Sequence, residues 1–389
     1  MRTRYASGAI AAAAVTAVAV VGGIAVVNRQ PVTIAGSGST ALLVPIAPGG
    51  SGSSGNGSSG NGSSGNGPSG NGPGTPPDGS RRMSTDATAA SAAQQVGIVT
   101  VVSVLKYQNA EGAGTGMILT SNGEVLTNNH VVNGATSITV TVESTGKSYR
   151  ADVVGTAPTS DVAVLQLRNA SGLQTAKLAG SSSPVSVGDG VTGVGNAGGT
   201  GTLTAVSGKV TALNQSITAS DGTGGESEHL TGLIEVNAAI IAGDSGGPLY
   251  NAAGQVIGMD TAASTRPAAT PTAYAIPIQS AVGISTKIES GVETAAIHIG
   301  YPGFLGIGTQ DSAAGAGVTG VLAGGPAAKA GITTGSTITA IDGKSVSSAK
   351  ALRAVLTAKN PGSSVNVTWT GRDGASHTAS VTLATGPAD

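Results

Sequence analysis

A chain of 389 residues with a formal net charge of −1 and only 10% charged side chains carries no field that would gather nucleic acid or an anionic membrane surface. It has no cysteine, which excludes disulfides, thiol catalysis and thiolate-bound metal, and nothing in it calls for a cofactor. Aromatic residues make up 2%, so the core must be built from Val, Ile, Leu and Ala, a mixture that favours sheets over helical bundles. The length admits two or three domains.

Residues 1–29 have the layout of an export signal. Arg2 and Arg4 precede an uncharged run from Tyr5 to Val27, closed by Asn28 and Arg29. The run exceeds the usual signal-peptide core of about 7–15 apolar residues and approaches the roughly 20 that span a bilayer. No clear Ala-x-Ala site ends it. An apolar helix serving as an uncleaved anchor is favoured over a removed signal peptide, which places the rest outside the cytoplasm, membrane-attached or secreted. Residues 30–88 form a linker. From Gly49 to Gly74 the unit Ser-Ser-Gly-Asn-Gly recurs, with almost nothing to bury, so the expectation is a disordered tether.

Order returns near Ala89. From there to about Tyr274 the chain reads as short strands divided by Gly, Asn, Ser and Thr turns: Val96–Leu105, 116–120 and 124–127 around a Ser121-Asn122-Gly123 turn, Ile138–Glu143, Ala151–Gly155, Asp161–Leu167, Val185–Val194, Lys209–Leu213, Leu233–Val236 and Gln255–Thr261. Many strands with little helix between them predict a barrel or sandwich. A short helix over Ser280–Ser290 closes this unit, and a second unit opens at Tyr301. There Ser348–Thr357 reads as helix, and Ser364–Trp369 and His377–Leu383 read as strands.

Gly243-Asp244-Ser245-Gly246-Gly247-Pro248 sets a serine among small residues, where the amides of Gly243 and Ser245 can converge on a developing oxyanion. In a chain with 63 glycines the same string could be only a turn. What decides is the company of a histidine and a buried acid, because a serine hydroxyl needs an imidazole to take its proton and the imidazole needs a carboxylate to fix its tautomer. Of four histidines, His229 lies in a Gly/Glu-rich loop, His298 in a connector and His377 in a polar hairpin. His130, at a strand end in Leu126-Thr127-Asn128-Asn129-His130-Val131, and Asp161, at a strand start in Ser160-Asp161-Val162-Ala163-Val164-Leu165, supply the missing pair.

These three blocks, in the order His, Asp, Ser, resemble the triad motifs of HtrA/DegP serine proteases, and Gly112–Ile118, Gly258–Ala263 and Ala275–Ile278 resemble further blocks of that family. The resemblance runs from about Val96 to the C-terminus. It implies a chymotrypsin-like double β-barrel over 89–292 and a small α+β PDZ domain over 302–386. It also implies that His130 is general base and acid, that Asp161 orients it, and that Ser245 attacks the scissile carbonyl. A substrate would add as a strand beside Val256–Thr261, contacting Met259, Asp260 and Thr261. The primary pocket would be floored near Ala239 and narrowed by Ile240, with no acid at the floor, so cleavage after small aliphatic residues is expected. Phe304-Leu305-Gly306-Ile307 resembles the PDZ loop that captures a peptide C-terminus, with Ala349–Leu356 as the other groove wall. One position departs from the family, which commonly has Asn where this chain has Asp244. The function implied is hydrolysis of unfolded or damaged extracytoplasmic polypeptides, with a homo-oligomer as the assembly the family often forms; a chaperone or peptide-binding scaffold that cuts little is the alternative.

Overall fold

A computed structural model describes residues 19–21, 25–26, 87–220, 228–264 and 271–388. The expected N-terminal helix and linker lie outside those residues, apart from 19–21 and 25–26, which are short extended pieces, and 87–88 at the linker's end, where Thr88 pairs as strand with Ala205. Among the described residues no helix is long and apolar enough to cross a membrane.

The first barrel comprises β1 (Ile98–Leu105), β2 (Ala110–Ile118), β3 (Glu124–Thr127), β4 (Ser137–Val142), β5 (Lys147–Ala157) and β6 (Val162–Leu167). Its strands pair in the order β5-β4-β1-β2-β3-β6, and β5 then pairs with β6, closing the ring. Closure leaves no free edge in the ring. In β4, Ser-Ile-Thr-Val-Thr-Val alternates half-buried and buried positions, as a strand with one wet face must. In β1 one face fills the barrel through Val99, Val101 and Leu105, while the other is buried at its start, where Ile98 joins the core shared with the second barrel, and half-buried at Val102 and Val104.

The second barrel repeats the plan with β7 (Gly190–Gly195), β8 (Thr204–Ser220), β9 (Glu228–Val236), β10 (Pro248–Asn251), β11 (Val256–Ser264) and β12 (Ala273–Pro277). The order is β8-β7-β10-β11-β12-β9, closed by β8 on β9. A shared core of Ile98, Met117, Leu126, Val162, Val194, Tyr250, Met259 and Ile276 fills the seam between the barrels. Helix α1 (Asn129–Val132) sits at that seam, and α2 (Ile278–Glu289) lays Ile278, Ala281, Ser285 and Ile288 inward at helical spacing.

The chain from Tyr301 builds a five-stranded sheet, extended by a short sixth strand, around its own core of Leu305, Ile338, Leu352, Val367 and Trp369, with a helix over Ala349–Thr357. Both ends of this domain are fastened to the first barrel. His298–Ile299 pairs with Thr156–Gly155 of β5, and Ala388 returns to exchange backbone bonds with Gly134 (2.7 Å) and Ala135 (2.9 Å), two to three residues beyond α1. The segment read from the sequence as a connector is therefore partly strand.

Candidate active site

His130 is presented by α1, where β3 ends. Asp161 stands at the start of β6 in the left-handed conformation (φ 51°), which an aspartate tolerates better than a branched residue. Asn128 steadies that turn by donating from Nδ2 to the Asp161 carbonyl at 2.9 Å. The Asp161 carboxylate then receives three donors. The His130 backbone N–H reaches Oδ1 at 3.0 Å, the imidazole Nδ1 lies 3.0 and 2.9 Å from Oδ1 and Oδ2, and the Thr261 hydroxyl donates to Oδ2. Asp161 is 1% exposed, so these donors replace the water it has lost.

Ser245 comes from the other barrel, in the loop before β10. Its hydroxyl donates to the Thr261 carbonyl at 3.3 Å, so Thr261 touches both Asp161 and Ser245. A side chain at Gly114 would meet Val131, next to His130, and the Ser245 carbonyl at 3.3 Å, which shows how closely the two barrels approach. The three residues picked from the sequence thus meet at the seam.

Thr115 staples the loop, a role for which the sequence offered no signal. Its N–H donates to the Ser245 carbonyl (2.8 Å), its hydroxyl donates to the Gly243 carbonyl (2.7 Å), and that hydroxyl accepts from the Asn196 N–H (2.9 Å). Gly243 and Gly246 carry φ of 98° and 82°, and a Cβ at Gly246 would strike the Thr115 carbonyl and the Thr127 hydroxyl. The Gly243 and Ser245 amides donate to no other backbone group among the described residues, which leaves them available to a ligand oxygen. Thr115→Val removes both hydroxyl bonds while keeping the side chain's shape. It is expected to lower kcat about 10- to 100-fold with little change in KM, read from steady-state peptide hydrolysis.

Other predicted contacts are placed differently. Val256–Asp260 is already bonded on both sides: Leu249 and Pro277 flank Gly258, and Pro248 and Ile276 flank Met259. A peptide cannot add there, and farther along the same edge Val20 and Val21 pair with Ser264 and Ala263, which leaves Thr261 and Ala262 as the unpaired stretch of that edge. The side chains of Met259 and Asp260 are fully buried. Ala239 is half-buried and Ile240 is buried, facing Gly193. In the second domain Leu305 is core, and the Phe304 ring stacks on Tyr107 of the first barrel (5.3 Å between centroids) while both rings line a cavity with Leu322, Pro326 and Val381. Gly306 (φ 78°) turns the chain into the strand Ile307–Ser312, which lies beside the helix over Ala349–Thr357. Asp311 Oδ1 ties the end of that strand to the helix by accepting the Ala349 N–H at 2.8 Å.

Asp244 is 3% exposed, and burial pushes its carboxyl up to about 7. The folded chain therefore binds more protons than the unfolded one between pH about 4 and about 7. The sign follows: this contribution to stability is fully present below the ordinary carboxylate range and is lost as pH rises through about 7, at up to about 1.4 kcal/mol per pH unit. Thermal melts across that window should fall with pH in the native chain and lose much of the slope in Asp244→Asn.

Comparison with known proteins agrees with these two units. The trypsin-like peptidase domain family matches residues 114–259 and the PDZ domain family matches residues 303–383. The serine protease PepD of Mycobacterium tuberculosis is 33% identical over 75% of this chain and 65% of its own length. The periplasmic serine endoprotease DegP of Escherichia coli is 36% identical over 64% of this chain and 52% of its own. Relative to these curated proteins, the chain spans about half to two thirds of their length. A crystal structure of the serine endoprotease from Yersinia pestis aligns over 77% of this chain and 99% of its own at 26% identity, with a TM-score of 0.42.

Proposed function

The chain is of the HtrA/DegP type, a trypsin-like peptidase domain followed by a PDZ domain, and from that premise we propose that it is an extracytoplasmic serine endopeptidase acting on unfolded polypeptides. We assign the protease domain to 89–292 and the PDZ domain to 302–386. The observation that carries the reading is the unbroken contact path from His130 through Asp161 and Thr261 to Ser245.

The chemistry follows from that path. Rotation about its Cα–Cβ bond takes the Ser245 hydroxyl from the Thr261 carbonyl to the imidazole, which accepts the proton as Oγ attacks the scissile carbonyl. The new oxyanion is received by the amides of Gly243 and Ser245. Asp161 holds Nδ1–H toward itself and offsets the imidazolium charge; His130 then passes its proton to the leaving amine, and water repeats the sequence on the acyl-enzyme. The substrate pairs at the edge by Thr261, with small aliphatic side chains entering beside Ala239 and Ile240. A polypeptide C-terminus docks at the Gly306 turn, between the strand Ile307–Ser312 and the helix over Ala349–Thr357. The relatives named periplasmic support an extracytoplasmic site, and the basic, apolar N-terminus supports attachment to the membrane.

Casein digestion by the full chain, with fluorophosphonate labelling mapped by mass spectrometry, tests this. Label on Ser245 and digestion lost in Ser245→Ala are expected. Unlabelled Ser245 with undigested casein would overturn it, leaving peptide binding alone.

A further inference from the structure

Behind the nucleophile loop lie two carboxyl groups that the triad does not use. Gly193 and Gly195 stand two apart on β7 and so share a face. That face meets acid at both positions. Asp260 Oδ2 is 3.0 Å from where a Gly193 Cβ would stand, and Asp244 Oδ1 is 2.6 Å from the corresponding point at Gly195. Two residues along a strand span roughly 6.6 Å, which sets the scale of the separation between the carboxyls.

Neither group is paired. Asp260 is 0% exposed and both its oxygens lack a hydrogen-bond partner, as does Asp244 Oδ1; only Asp244 Oδ2 is engaged, by the Ile241 N–H at 2.9 Å. Around them β7 contributes only glycines, the nucleophile loop contributes Asp244, and β11 contributes Asp260. His130 and Asp161 are engaged with each other and, at Asp161, with the hydroxyl of Thr261, the residue beside Asp260. Two unpaired charges at this spacing inside a protein repel one another and lack hydration. Burial accordingly raises both carboxyls, and the charge of Asp244 raises Asp260 further.

The backbone of Asp260 clamps the residues that follow the nucleophile. Its N–H donates to the Gly247 carbonyl and its carbonyl accepts from the Gly246 N–H, both at 2.8 Å. Movement of Asp260 therefore moves Ser245.

We propose that Asp244 and Asp260 are positioning residues that act as a proton-holding pair, keeping the nucleophile loop in its catalytic form while protonated and displacing it once ionised. This rests on the serine-protease reading and gives that activity an upper pH limit independent of the imidazole. A neutral carboxyl has nearly the shape of a carboxamide, so protonated Asp244 takes the place of the Asn that the HtrA pattern commonly has there.

The test is the fluorophosphonate labelling rate of the full chain from about pH 6 to about pH 9.5, beside Asp244→Asn and Asp260→Asn. In the native chain the rate should rise as the imidazole loses its proton and then fall about tenfold. In both variants the rise should remain and the fall should vanish. An alkaline fall kept in both variants, or missing from the native chain, overturns the proposal. Infrared spectra of the native chain over the same range decide the matter even if a variant does not fold: a protonated-carboxyl band must disappear as pH rises, and a chain without one at the acid end refutes the pair. Labelling absent at every pH would instead overturn the proteolytic reading.

Discussion

Ser245→Ala and His130→Ala are each expected to lower kcat/KM by about 10⁴- to 10⁶-fold, and the double variant is expected to be no slower than either single one. The reason lies in how the path is joined. The imidazole matters only because it takes the proton of one hydroxyl, so removing either partner abolishes the same event, and removing the second costs nothing more. What survives is the oxyanion pocket, which depends on backbone amides and on the Thr115 staple, and neither substitution touches those. Steady-state hydrolysis of a peptide anilide with alanine or valine before the scissile bond measures the loss. Fold stability should barely change in Ser245→Ala, because the side chain makes one long hydrogen bond and the loop is held by its backbone. Rate losses that multiply in the double variant would mean that the two residues act in separate steps.

How far the sequence reaches depends on whether a feature is local or made by distant pairing. Strand alternation over Ser137–Val142, the Ser121-Asn122-Gly123 turn and the helix over Ala349–Thr357 are local and were legible. That His130, Asp161 and Ser245 come together was legible because each stands inside a recognisable block. The long hairpin of β8 and β9 was read as two short strands, since its Gly, Ser, Thr and Gln residues resemble turns until each finds its partner across the sheet. The same limit hid Thr115, whose staple to Ser245 spans 130 positions, and hid the tail at Ala388, whose apolar side chain is buried in the first barrel's core. Phe304 was assigned to a peptide groove by its motif and lines a cavity, but no local pattern could disclose that Tyr107 of the first barrel stacks on it there. Asp244 was noticed as out of pattern, whereas Asp260 was taken as a substrate contact, because a pair of buried acids becomes visible only when Gly193 and Gly195 bring both to one face.

Asp161→Asn is the other large effect, expected to lower kcat by about 10⁴-fold at neutral pH while KM stays near its native value. The hydrogen bonds dictate how the amide must sit. The His130 backbone N–H always donates, so the amide oxygen has to stay at the Oδ1 position. The amide NH₂ then occupies the Oδ2 position, where the Thr261 hydroxyl can turn to accept one hydrogen and imidazole Nδ1, 2.9 Å away, meets the other. An Nδ1 that accepts must leave its proton on Nε2, and an imidazole protonated there cannot take the serine proton. The negative charge that would have offset the imidazolium is gone as well. Thr261→Val separates these two losses, because it removes a donor to Oδ2 but keeps both the charge and the tautomer. That variant should fall only about tenfold, again in kcat. A Thr261→Val as slow as Asp161→Asn would show that the hydroxyl, and not the carboxylate charge, is what keeps His130 in working order.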